Sequence, residues 1–242
     1  MSNVLIVTGG SKGIGKALVE KYLQENYIVF SLSRSIIDIQ NVTQISVDLL
    51  NIEEAKNAFE MLLDEVKKTI ITSITLVNNA GRLGEIANLE TINYQDIHQS
   101  VFLNTTIPLI FSSLFINQLF EFNCKKQIIN ISSGAAQKPY EGWSVYCSSK
   151  AALDMITATI SKEQENVENG VKAFGIRPGV VDTNMQSQIR TTEVSNFKNV
   201  QRFIDLKNNN KLYSPQFVAE RIYNLDSSNK LTNGQTIDLR EV

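Results

Sequence analysis

The chain has 242 residues, 43% hydrophobic and 20% charged, with a formal net charge of −2. That length and balance fit one α/β unit with a sizeable core, and the weak charge gives no electrostatic reason to expect nucleic acid or an anionic membrane as partner. The two cysteines, Cys124 and Cys147, are too few for a disulfide framework and read as free thiols.

The opening MSNVLIVTGG has no basic region and too short an apolar run for a signal peptide, so a cytoplasmic location is expected. Taken in chain order, VLIVT (4–8) reads as a buried strand and 14–25 as the helix that follows its glycine-rich turn. IVFSL (28–32) and ISV (45–47) are the next strands, then a helix over 52–69 and the strand ITLV (74–77). A long helical stretch, 91–120, comes next. Its apolar part, 101–120, carries no charge, but Asn104, Pro108, Asn117 and Gln118 interrupt it, which suits a buried helix better than a membrane span. QIINI (127–131) is followed by a helix over 147–166, VKAFGI (171–176), a helix over 214–224 and TIDL (236–239). Ser214-Pro215 supplies a cap and a first-turn proline for the last helix. Strands and helices alternating at this length predict a single Rossmann-type domain over 1–242. Its core is a doubly wound parallel sheet of about seven strands with helices on both faces, and ligands bind at the carboxyl ends of such strands.

The first turn, TGGSKGIG, places Gly9, Gly13 and Gly15 between a strand and a helix, with Ser11, Lys12 and Ile14 among them. Glycine lets backbone approach a pyrophosphate, which then rests on the amides of a helix N-terminus. The second strand ends FSLSRS: Ser33 and Arg34 stand where a carboxylate would otherwise accept from the ribose hydroxyls. An arginine can fork onto a 2′-phosphate and Lys12 adds a second positive charge, so the expected cofactor is NADP(H).

With these motifs in order, the chain resembles the short-chain dehydrogenase/reductase family nearly end to end. TGGSKGIG is similar to its cofactor loop, Asp48-Leu49 to its adenine-contacting pair, NNAG (78–81; Asn79, Ala80, Gly81) to its fourth-strand motif. RPGVVDT (177–183) is similar to the segment beside the nicotinamide, which implies cofactor contacts from Pro178, Gly179, Val181 and Thr183. The same resemblance puts Asn104, Ser133, Tyr146 and Lys150 on the catalytic tetrad, Lys150 and Tyr146 also touching the cofactor, Lys150 at the nicotinamide ribose and Asn104 positioning a relay water. Within the family, SSGAAQKPYEGWSVYCSSKAALDM with PGVVDTNMQSQIR is similar to sepiapterin reductases and, more closely, microbial benzil reductases. Those enzymes use NADPH to reduce one carbonyl of a vicinal diketone or an α-keto side chain on a ring.

The chemistry can also be read from the residues. A tyrosine of ordinary pKa, about 10, is a slow proton donor at neutral pH, and a lysine one helical turn on is expected to bring it down. Tyr146 then acts as general acid in carbonyl reduction, while the Ser133 hydroxyl at the end of strand 127–131 steadies the developing oxyanion. Tyr140, Trp143 and Phe203 read either as core aromatics or as a substrate wall. The segment 184–212, rich in Asn, Gln and Lys, reads as a mobile lid rather than core. Asp238 aligns with an acidic residue that anchors the substrate in sepiapterin reductases. His98 reads as a surface residue without metal-spaced partners, and Cys147 as packing. The expected activity is NADPH-dependent reduction of a ketone, aromatic or α-dicarbonyl, by a homodimer or homotetramer joined through 95–120 and 147–166. A pterin side-chain reductase and a non-catalytic NADP(H) sensor are the rivals.

Overall fold

A computed structural model describes residues 2–228 and 231–241. Its centre is one seven-stranded, all-parallel sheet in the order β3-β2-β1-β4-β5-β6-β7. The strands are β1 (Ser2–Thr8), β2 (Ile28–Ser33), β3 (Val42–Ser46), β4 (Ile71–Asn78), β5 (Lys125–Ile131), β6 (Lys172–Arg177) and β7 (Thr236–Asp238). The helices are α1 (Gly13–Gln24), α2 (Ile52–Lys67), α3 (Tyr94–Val101), α4 (Ile107–Gln118), α5 (Ser144–Gln164), α6 (Asn184–Arg190), α7 (Val200–Asn208) and α8 (Pro215–Ser227).

The inner strands are apolar at consecutive positions because both faces are covered. In β1, Val4 and Ile6 pack with Phe59 and Leu62 of α2 and Phe111 and Phe115 of α4; the Phe59 and Phe111 rings stack 4.2 Å apart. Leu5 and Val7 face the other way, toward Leu18 and Tyr22 of α1 and Val218 and Ile222 of α8. The edge strand β3 is only half covered and lies at 42–46 rather than the expected 45–47. An edge strand lacks the continuous apolar run that marks its neighbours.

The long helical stretch is broken where it matters for the site. A π turn, Phe102–Thr106, separates α3 from α4. Pro108 has no N–H to give to the Asn104 carbonyl four residues earlier, so an unbroken α-helix could not be completed there. By length and composition Tyr94–Gln118 could cross a membrane. Here Asn104, Ile107, Phe111, Ser112 and Phe115 are buried within the α/β unit.

Candidate active site

The glycine turn fits a phosphate-bearing ligand on three counts. Gly9 and Gly13 have φ of +72° and +55°, a region side chains disfavour. A Cβ on Gly15 would lie 2.2 Å from the Gly9 carbonyl oxygen, so the turn closes only around glycine. Lys12, the N-cap of α1, gives no side-chain cap and the first turn carries no acid, which leaves the helix amides for an anion. Two strands lock this turn: the Thr8 hydroxyl accepts from the amides of Asn79 (3.0 Å) and Ala80 (2.9 Å), and Asn79 Nδ2 donates back to the Thr8 carbonyl (2.9 Å). Thr183, which precedes α6, reaches over the turn, its Cγ2 3.3 Å from where Gly13 would carry a Cβ.

At the end of β2, Ser33 is buried and its hydroxyl donates to the Ser35 carbonyl (2.9 Å). Arg34 and Lys12 are exposed, and neither cationic head has an ion-pair or hydrogen-bond partner among the described residues. Asp48 is exposed and accepts from the Leu50 amide (3.1 Å), while Leu49 is buried.

The four tetrad positions meet beyond the ends of β4 and β5. α5 begins at Ser144, three residues before the expected 147, so Tyr146 lies inside the helix and shares a face with Lys150. The start was hard to read because Trp143 occupies the N-cap without capping. The Tyr146 phenol lies near enough to the Ser133 hydroxyl for that group to draw its pKa down. Ser133 Oγ accepts from the Ala135 amide (3.1 Å), whereas the neighbouring Ser132 hydroxyl is buried without a partner among the described residues. Lys150 is buried, its Nζ donating to the Ile131 carbonyl (2.8 Å) and lying 5.9 Å from the Tyr146 ring centre. Asn104 sits in the π turn, fully buried. Its side chain clamps Arg82, accepting from the amide (2.9 Å) and donating to the carbonyl (2.8 Å), and also donates to Ser149 on α5 (3.1 Å). Gly81 closes the ring: a Cβ there would come 3.1 Å from Asn104 Oδ1 and 3.6 Å from Lys150 Nζ.

One electrostatic expectation is overturned. Burial pushes the Tyr146 phenol above its ordinary pKa, and the influence opposing that shift is the nearby Ser133 hydroxyl rather than Lys150. Lys150 is itself lowered to about 8 by burial, with Asp154 one turn on acting the other way. A phenol so placed stays protonated at neutral pH, the form a proton donor needs.

Around Tyr146 lies an aromatic cluster. Trp143 stacks on Phe197 (4.6 Å between ring centres) and lies 5.1, 5.6 and 5.6 Å from Tyr140, Tyr146 and Phe203. The segment 184–212 is no loose polar flap: it forms α6 and α7 and buries Ile189, Phe197, Val200 and Phe203 in this cluster. Its long run of polar residues hid Ile189, Phe197 and Val200, whereas Phe203 already read as a core or wall aromatic. Pro178 and Val181 are buried, and Gly179 turns with φ of +79°. Asp238 is not free, since its carboxylate is held by Arg240 through Nε (2.8 Å) and Nη2. His98 is exposed on α3, and no metal-binding cluster exists among the described residues. Cys124 and Cys147 are unpaired, their thiols pushed up by burial.

Sequence reasoning missed Arg82, Arg240 and Thr8. Arg82 pairs with Asp96 and donates to Gln99 (2.6 Å), fixing the loop between β4 and α3. The sequence carries no signal for it beyond its place after NNAG.

Residues 3–194 match the family model described as short chain dehydrogenase. The chain is 39% identical to a benzil reductase ((S)-benzoin forming) of Bacillus subtilis (strain 168), covering 98% of each chain. It is 36% identical to a protein of that name from Bacillus cereus, covering 98% of this chain and 99% of the relative. Among solved structures it is similar to the KRED1-Pglu enzyme, with a TM-score of 0.84 at 26% identity over 98% of this chain and 100% of that one.

Proposed function

The chain belongs to the short-chain dehydrogenase family and is a nicotinamide-dependent oxidoreductase acting on carbonyl or hydroxyl groups; on that premise we propose that it is an NADPH-dependent reductase of aromatic or α-dicarbonyl ketones. The observation that carries the proposal is the convergence of Ser133 and Lys150 on Tyr146, beside an uncapped glycine turn and an aromatic cluster.

In this reading Gly9, Ser11, Lys12, Gly13, Ile14 and Gly15 hold the pyrophosphate, and Ser33 with Arg34 hold the 2′-phosphate. Asp48 and Leu49 take the adenine end; Asn79, Ala80, Gly81, Pro178, Gly179, Val181 and Thr183 line the nicotinamide end. The unpartnered heads of Arg34 and Lys12 support the preference for NADPH, because an exposed guanidinium without a carboxylate nearby is a ready phosphate ligand. When bound, the nicotinamide supplies the hydride. Ser133 donates a hydrogen bond to the carbonyl oxygen as negative charge grows on it, and Tyr146 gives up its proton to the resulting alkoxide. Lys150, with one backbone acceptor used and two N–H groups left, holds the nicotinamide ribose. The clamped Asn104 side chain leaves its backbone carbonyl, which Pro108 cannot satisfy, to hold a relay water. Trp143 and Tyr140 wall the substrate, and the α6–α7 segment is its lid. A cytoplasmic location and self-association through α4 and α5, where Leu109 and Met155 are 45% and 68% exposed, complete the reading.

The test is NADPH oxidation with benzil. Tyr146→Phe is expected to lower kcat by about 10²–10⁴-fold while NADPH still binds. Failure of the unaltered protein to turn over any member of a panel of diketones, quinones and pterins would sink the enzyme's assignment to carbonyl reduction.

A further inference from the structure

We propose that Arg240 recognises the substrate: its guanidinium donates to a second oxygen beside the carbonyl being reduced, and so favours vicinal dicarbonyls over simple ketones. The proposal rests on the carbonyl-reductase reading and adds a specificity determinant to it.

Arg240 follows the short edge strand β7, and Asp238 fixes it there. The Asp238 carboxylate accepts from the Arg240 amide (3.0 Å) and Nε (2.8 Å) and pairs with Nη2. The carboxylate is buried, while the arginine side chain is 46% exposed. Two of the three guanidinium nitrogens are thereby engaged, and Nη1 has no acceptor among the described residues. An arginine held in this way keeps its fork in one orientation, so donation to a ligand orders little more of the side chain.

The held fork lies at the site. Arg240 Cγ is 3.4 Å from where Gly179 would carry a Cβ, and Nη2 is 3.6 Å from the same point on Gly134. Gly134 directly follows Ser133, whose hydroxyl neighbours the Tyr146 phenol. The side chain therefore crosses the rim between the PG segment and the Ser133 turn. Because the buried carboxylate answers its charge, the fork acts as a directional donor more than as a net cation. That suits a neutral carbonyl oxygen better than a carboxylate. Once the reacting oxygen rests on Ser133 and Tyr146 and an aryl group on the aromatic wall, the adjacent oxygen of a dicarbonyl is the polar group still lacking a partner. Asp238 thus serves the substrate through Arg240.

1-Phenyl-1,2-propanedione and propiophenone differ only in the second carbonyl. Their kcat/KM values with NADPH are compared in the unaltered protein and in Arg240→Lys, which keeps a cation for Asp238 but loses the fork. The dione-over-monoketone preference is expected to fall about tenfold, mainly through KM. An unaltered preference overturns the proposal. The paired change Asp238→Asn with Arg240→Met strands no buried charge and must lose the same preference. Trp143 is the only tryptophan and sits beside Tyr146, so its fluorescence reads binding of each ketone to the NADP⁺-loaded protein without turnover. If neither ketone is reduced, the function reading fails on its own and binding decides Arg240. A dione preference that vanishes in Arg240→Lys supports it; equal affinities overturn it.

Discussion

Toward the amino ends of the strands, Asp226 is buried and held from every side. It accepts from Tyr22 (2.8 Å), Thr75 (3.2 Å) and Gln127, with Lys125 Nζ 3.9 Å away. At the carboxyl ends, Lys150 is equally buried but has one hydrogen-bonded partner among the described residues, the Ile131 carbonyl. Both groups feel burial as the largest influence on their titration: the acid is pushed up, the lysine down to about 8. The difference lies in what remains unsatisfied. Asp226 joins α1, β4, β5 and α8 and has little left to offer a ligand, whereas Lys150 keeps two donors without an acceptor among the described residues. A buried charge with spent valence belongs to the fold; one with valence to spare belongs to the chemistry.

The comparison breaks if the two groups respond alike. Lys150→Met should lower kcat/KM for ketone reduction by about 10³-fold and leave the denaturant midpoint no lower, since it removes a buried charge. Asp226→Ala should do the reverse, costing roughly 3–5 kcal/mol of stability by stranding Tyr22 and Gln127, with activity per folded molecule retained. Matching losses of stability in chemical denaturation would erase the distinction.

A pH series sharpens it. The Lys150 pKa is lowered from 10.5 to about 8, so the unfolded chain binds the extra proton between those values. The cost of burying the cation is therefore full below pH 8 and fades as pH rises toward 10.5. The stability gap between Lys150→Met and the unaltered protein should close over that window, and kcat/KM for NADPH, which reports the free protein, should fall as pH passes about 8. A gap constant from pH 7 to 10 refutes the assignment. The smallest effect is expected at the far end of the cofactor: Arg34→Asp should shift preference from NADPH toward NADH by about tenfold or more. An unchanged preference would discard the role given to Arg34.

Local signals carried much of this in the sequence. The parallel sheet was legible because strands covered on both faces carry runs of consecutive apolar residues, and the glycine turn because few residues other than glycine tolerate its backbone. Tyr146 and Lys150 shared a helix face by spacing alone. Long-range pairings were not legible. Tyr22 meets Asp226 across 204 residues of chain, and neither residue type announces the partner. Asp238 was visible as a candidate, but the arginine that claims its carboxylate was not, because an ion pair at a sheet edge has no periodicity. The tuning of Tyr146 was misjudged for a related reason: spacing reveals a neighbouring cation but not the burial that outweighs it.

The Thr8 hydroxyl, which binds the amides of Asn79 and Ala80, sets an order on how the nucleotide end takes shape. β1 and β4 are separated by two strands and two helices, yet they pair directly across that gap. While the chain emerges from the ribosome, its glycine turn has been made long before the strand that locks it. A nascent segment ending short of residue 79 has the loop's sequence without its clamp, so nucleotide affinity should arise in a single step once β4 docks, rather than accumulate with length.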